Sequence, residues 1–258
     1  MRSGYRDDQL TGDFEGERLF SSGADIRYVV HEAEASDLLL VAFSAVHEPD
    51  KPPRYYFHRA LRAIPCHRLF VLDDHGPDEP LRRPSWYLGH NRSTDVPDAI
   101  ERLVADTAEE LGVDRRRVVT CGSSKGGWAA LYFGARLGTG HVFAGEPQVL
   151  LGRHLMQEEN LGIARHVAGD VTDVDRAYLD GLLFEAFRAA AAPPDVHLYC
   201  GSGSPYRDRD VLPLVRFLDE LGIPVDLELG DHSEHVPDLG IHFPGYMTRR
   251  MEPLLQPA

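Results

Sequence analysis

The segment Arg117-Val118-Val119-Thr120-Cys121-Gly122-Ser123-Ser124-Lys125-Gly126-Gly127-Trp128 sets a short apolar strand, a glycine-flanked serine and an apolar helix in immediate succession. The central pentapeptide fits G-x-S-x-G, with Ser124 in the middle. A sharp strand-to-helix bend of this kind forces the serine into strained backbone angles and crowds the positions two residues to either side. Gly122 and Gly126 remove the side chains that would collide there, and Gly127 lets the following helix lie close to the sheet. The reading predicts that the Ser124 hydroxyl projects past the sheet edge at the positive end of a helix. The Lys125 N–H is then one expected oxyanion donor, and the loop around Ser44 and Ala45 is expected to give the second. The Lys125 side chain is either solvated or a contact for an anionic substrate group. The alternatives are poorer. G-x-x-x-x-G-K-[ST] is absent, and Gly201-x-Gly203 continues with Tyr206 where a dinucleotide fingerprint needs a third glycine.

Outward from this bend, strands and helices alternate. Phe14–Phe20 and Ile26–Val30 read as strands joined at Ser21-Ser22-Gly23, and Leu38–Phe43 is an unbroken apolar run expected to be covered on both faces. His47–Pro53 reads as loop, Tyr55–Ile64 as a short helix and Arg68–Leu72 as a strand ending in Asp73-Asp74-His75-Gly76. A helix capped by Thr94 or Asp95 runs to Gly112, with Ile100, Leu103, Val104, Thr107, Ala108 and Leu111 on one face. After the bend come a helix over Trp128–Leu137, a strand at His141–Ala144, a helix over Asp173–Ala192 and a strand at Val196–Cys200. A helix over Asp210–Leu221, a strand at Val225–Leu229 and a helix over Tyr246–Leu255 complete the series. Parallel neighbours need crossover connections, so the order predicts a single α/β domain over residues 1–258, with a doubly wound, mostly parallel sheet. Gln148–Asp170 lacks clear periodicity and is expected to form a small lid.

A serine hydroxyl needs a base, and the base needs an orienting acid. With the chain order Ser, acid, His, the acid is expected after Val196–Cys200, where Asp210 is the first choice and Asp208 the alternate. Capping of the next helix competes for Asp210. The base belongs after Val225–Leu229, where His232, His235 and His242 fall within eleven residues. His235 is preferred because its loop is long enough to fold back over the serine; His232 and His242 stay open. Asp231, His232, Glu234, His235, Asp238 and His242 also offer a Zn²⁺ donor set, but with no recognised ligand spacing, and Pro237 and Gly240 argue against a helix there. No metal and no cofactor is therefore expected. Asp73-Asp74-His75 is either a pocket wall or an acidic turn, and Trp86-Tyr87 either a sugar-stacking platform or a buried anchor.

Composition sets the outer limits. The 258 residues are 43% hydrophobic and 26% charged, ordinary for a globular protein, and 41 acids against 27 bases leave a formal charge of −14. Such a surface disfavours nucleic acid. An apolar run such as Leu38–Phe43 is far too short to span a bilayer, and no signal peptide is read at the start. Cys66, Cys121 and Cys200 are widely spaced in or beside apolar runs, which suggests buried thiols and a cytoplasmic setting.

Four segments together carry a resemblance. They are Leu69-Phe70-Val71-Leu72-Asp73-Asp74-His75-Gly76, Trp86-Tyr87-Leu88-Gly89-His90-Asn91, the run Gly122–Gly134, and Gly145-Glu146-Pro147-Gln148. In these the chain resembles the XcbB/CpsF-type capsular polysaccharide biosynthesis proteins. That group is similar to the serine acetyltransferase-like component of the accessory Sec export system, and both are α/β-hydrolase relatives. The likeness runs over about residues 38–250. It implies an α/β-hydrolase fold, Ser124 as nucleophile, and an acyl group on a carbohydrate or glycoprotein as substrate. The expected function is a serine hydrolase or acyltransferase acting on a small molecule or carbohydrate. The contrasting expectation is a non-catalytic binding module in polysaccharide biosynthesis or export.

Overall fold

The computed structural model describes residues 5–6, 14–46, 53–77, 84–235 and 238–256. Among the described residues nine strands form one sheet: β1 (Tyr5–Arg6), β2 (Glu17–Ser21), β3 (Asp25–His31), β4 (Leu39–Phe43), β5 (His67–Val71), β6 (Val118–Ser123), β7 (His141–Gly145), β8 (Asp195–Gly201) and β9 (Val225–Gly230). Their spatial order is β1-β2-β3-β5-β4-β6-β7-β8-β9. The first pairings, through β3–β5, are antiparallel, and every pairing from β5–β4 to β8–β9 is parallel. The doubly wound, mostly parallel α/β sheet expected from the alternation of elements is present.

The unbroken apolar run has the cause anticipated for it. Leu39, Val41 and Phe43 enter the core on one face, while Leu38, Leu40 and Ala42 enter a second core on the other. The larger core takes α1 (Asp95–Glu110), α2 (Lys125–Leu137), α5 (Asp173–Ala189) and α6 (Leu212–Glu220). The second is closed by α7 (Asp238–Met251) and the segment around Leu61 and Ile64. Cys66, Cys121 and Cys200 are buried free thiols. Among the described residues no helix is long and apolar enough to cross a membrane.

Several local expectations need correction. Tyr55–Ile64 is not a helix: only Ala60–Ala63 makes a 3₁₀ turn, because Phe57 takes a positive φ of 64° that no right-handed helix admits. Helix α2 starts at Lys125 rather than Trp128, and α6 is preceded by a π-helical turn over Arg207–Val211. The final helix begins at Asp238, eight residues before the expected start, and carries Gly240 and Pro244 within it. Gln148–Asp170 contains α3 (Leu151–Leu155) and α4 (Leu161–Ala168). Both turn apolar residues into the larger core. The expectation for His47–Pro52 lies outside the described residues, as does Pro237.

Candidate active site

The parallel strands end along one edge, where open α/β sheets collect their functional groups. Strand β6 delivers Ser124 there with φ 55° and ψ −120°, outside the ordinary regions for an L-residue. The glycines act as read. A methyl group on Gly122 would strike the Gly126 carbonyl, and one on Gly126 would strike that of Phe43. The bend is held by Ser124 N–H donating to Gly145 O at 2.8 Å and Trp128 N–H donating to Ser124 O at 3.1 Å.

His235, on the loop after β9, brings Nε2 to 2.9 Å from Ser124 Oγ. Its Nδ1 lies 2.6 Å from a carboxylate oxygen, but that carboxylate is Glu146 and neither Asp210 nor Asp208. Glu146 follows β7 directly, next to the serine strand, with φ 40° and a fully buried carboxylate. Its other oxygen accepts Gly201 N–H at 2.8 Å, and its own N–H donates to Tyr199 O at 2.9 Å. Burial alone would raise this carboxyl. The His235 hydrogen bond, the Gly201 N–H, the charge of His235 and the Ser204 hydrogen bond outweigh burial and hold it below the usual glutamate range.

Asp210 is occupied elsewhere. It pairs with Arg209 at 2.6 Å and accepts Leu150 N–H at 3.2 Å, where it fixes the start of α3. Asp208 is exposed and pairs with Arg207 at 2.9 Å. His232 stacks between Tyr199 and His242, at 5.6 and 5.1 Å between ring centroids. His242 is itself on α7, so neither ring meets Ser124. With both nitrogens of His235 engaged, the donor set for Zn²⁺ has lost its central member. Among the described residues no three His, Cys, Asp or Glu side chains gather to hold a metal.

Behind the serine lies a network that sequence reading did not anticipate. Lys125 is neither solvated nor at the substrate: it is 1% exposed, and its Nζ donates to Asp73 at 2.7 Å and sits 4.5 Å over the Tyr87 ring. Asp73 also accepts the Ser85 N–H at 2.9 Å and the Ser85 hydroxyl at 3.1 Å. Burial opposes ionisation of Asp73, yet the Lys125 ammonium and the Ser85 N–H hold its carboxyl below the usual range. Asp74 pairs with Arg27 at 3.3 Å, and His75 bonds Asp25 O, so this cluster does not line the cavity. The Ser44 amide is also spent, because its N–H donates to Tyr87 Oη at 2.6 Å. Ala45, one residue on, faces the cavity instead.

That cavity measures about 620 Å³. Ser124 and His235 form one side, and Gln148, His154 and Asn160, from the segment expected as a lid, form another. Trp86 lines it too, at 1% exposure, whereas Tyr87 is wholly buried beneath. Trp86 Nε1 and Gln148 Oε1 are buried without a hydrogen-bond partner among the described residues. Burial, chiefly, drives the His154 imidazole down to about 4, so this wall is neutral near pH 7. Tyr206 stacks on His235 at 4.3 Å between ring centroids, and the Arg209 guanidinium stacks on Tyr206 at 4.3 Å. Through Arg209, Asp210 reaches the histidine as the last member of a stack rather than as its carboxylate. Along the chain Glu146 stood out only within Gly145-Glu146-Pro147-Gln148, next to the strand after the serine, and the usual placement of the acid after Val196–Cys200 overrides that signal.

No family model matches the chain. Among solved structures, the capsule O-acetyltransferase of Neisseria meningitidis serogroup A superposes with a TM-score of 0.77 at 17% identity, over 93% of this chain and 96% of that one. The fluorophosphonate-binding serine hydrolase FphF of Staphylococcus aureus gives 0.67 at 16% identity, over 93% and 98%. In sequence, an accessory Sec system protein of Staphylococcus aureus (strain NCTC 8325 / PS 47) is 23% identical over 201 residues. That match takes in 73% of this chain, which spans 36% of the length of that relative. The chain has the α/β-hydrolase fold.

Proposed function

We propose that the protein is a serine-dependent acyl-transfer enzyme that forms an acyl-enzyme on Ser124 and passes the acyl group to water or to a sugar hydroxyl. The observation that carries this reading is the continuous line Ser124 Oγ, His235, Glu146, with contacts of 2.9 and 2.6 Å, opening onto a cavity. His235 Nε2 takes the hydroxyl proton as Oγ attacks the acyl carbonyl, and Glu146 holds the ring and balances the imidazolium. The oxyanion meets the N–H groups of Lys125 and Ala45. Collapse breaks the bond to the leaving group, which departs with the proton from His235. The acceptor hydroxyl then gives its proton to His235 and attacks the acyl carbon; the bond from that carbon to Ser124 Oγ breaks, and His235 returns the proton to Oγ.

The cavity supports a substrate with both apolar and polar parts. Trp86 and Phe57 offer apolar surface, while the unpaired indole N–H and the Gln148 carbonyl oxygen offer a donor and an acceptor. The likeness to a capsule O-acetyltransferase and to a fluorophosphonate-binding hydrolase favours ester or acyl chemistry at this site. A fluorophosphonate probe is expected to label the protein, and Ser124→Ala is expected to abolish both labelling and p-nitrophenyl acetate turnover. Labelling that persists in Ser124→Ala would remove the assignment.

A further inference from the structure

A second, larger hollow of about 1030 Å³ adjoins the cavity. Tyr56 and Phe57, before the 3₁₀ turn, and Gly240 on α7 line both, so these residues stand between the hollow and the cavity at Ser124. The charge of the hollow runs against that of the chain. Arg18, Arg54 and Arg59 line it together with His31 and His58, and Glu15 is its only acid among the described residues. Elsewhere Arg27, Arg92, Arg117, Arg136, Arg249 and Arg250 each have a carboxylate within salt-bridge distance. Arg18, Arg54 and Arg59 have none among the described residues. In a chain with 41 acids and 27 bases, three such guanidinium groups in one hollow concentrate positive charge.

Two imidazoles share the hollow. His31 Nε2 and His58 Nε2 are 2.7 Å apart, so one ring donates to the other. Burial, then the charges of Arg68, Arg59 and Arg62, hold His58 below the ordinary histidine range. Phe14, Tyr55 and Tyr56 supply ring faces in the same hollow. Guanidinium groups beside aromatic faces suit ring-bearing ligands that carry phosphate or carboxylate groups.

Resting on the acyl-transfer reading, we infer that the Arg18–Arg54–Arg59 hollow is a subsite for the anionic part of the substrate, holding phosphate or carboxylate groups while the acyl centre lies at Ser124. The two sources of negative charge are separated by titrating the full chain, as Ser124→Ala so that nothing turns over, with coenzyme A, with oligogalacturonate and with uncharged maltohexaose. At least one anionic probe is expected to bind, with affinity falling as salt rises. The combined change Arg18→Gln, Arg54→Gln and Arg59→Gln is expected to weaken that binding by about tenfold or more. Binding of coenzyme A alone identifies phosphate, and binding of oligogalacturonate alone identifies carboxylate. The same triple change on the Ser124 chain is expected to leave p-nitrophenyl acetate turnover unchanged, because that ester is too small to reach the hollow. Anionic probes that bind no better than maltohexaose, or equally well to the triple variant, overturn the subsite. Because binding is read in the Ser124→Ala chain, the subsite can stand or fall independently of the acyl-enzyme.

Discussion

Glu146 and Asp210 are both buried acids near the histidine loop, and their surroundings separate them. One oxygen of Glu146 faces His235 and the other takes a backbone N–H, leaving it geometrically committed to the imidazole. Asp210 is committed to Arg209 and to the amide of Leu150. Glu146→Gln keeps the shape but removes the charge that balances an imidazolium, and it is expected to lower kcat for p-nitrophenyl acetate by about 10³–10⁴-fold. Asp210→Asn is expected to change kcat by less than about tenfold, through the Arg209–Tyr206 stack on His235. Steady-state kinetics on the two variants distinguishes these roles, and the reverse ranking would return Asp210 to the position first expected of it.

The elbow joins two elements, and the buried Lys125–Asp73 pair fastens that joint to the end of β5. Four strained non-glycine residues gather around it: Ser124, Glu146, Trp86 and Tyr87 all have positive φ. Such angles persist only where neighbouring elements enforce them. Asp73→Ala leaves an ammonium with 1% exposure unpaired and strips the Ser85 N–H of its acceptor. A loss of about 3–5 kcal/mol is expected in urea unfolding. The sign with pH follows from the lowered Asp73 carboxyl. The pair stabilises the native protein fully above the unfolded carboxylate range, and that contribution disappears as pH falls through the native value. Asp73→Ala is therefore expected to lose less stability than the parent on acidification through that range.

At the scale of the molecule, six histidines among the described residues (His31, His58, His141, His154, His166 and His197) are shifted downward, in each case with burial as the largest cause. The unfolded chain binds these protons from 6.5 downward while the native chain refuses them, so stability falls as pH drops. For His154 the window runs from 6.5 to about 4 and is worth up to about 3 kcal/mol. The urea midpoint is expected to decline across that window, and His154→Gln is expected to flatten part of the slope. A midpoint independent of pH there would mean that these rings are protonated in the native state.

What could be read along the chain was whatever neighbouring residues enforce on one another. The elbow depends on glycines two residues from Ser124, the parallel sheet on the alternation of apolar runs, and the loop of His235 on its distance from the last strand. The partners were not legible in the same way. Glu146 meets His235 across 89 residues, and Asp73 meets Lys125 across 52. An ionised side chain carries no mark of which partner will neutralise it, since many acids stand at strand ends and burial selects among them. The same reason leaves Ala45 rather than Ser44 facing the cavity: Tyr87, 43 residues away, takes the Ser44 N–H. Local sterics are written in adjacent residues, whereas the pairing of buried charges and donors exists only once packing has excluded water and left each group one neighbour to satisfy it.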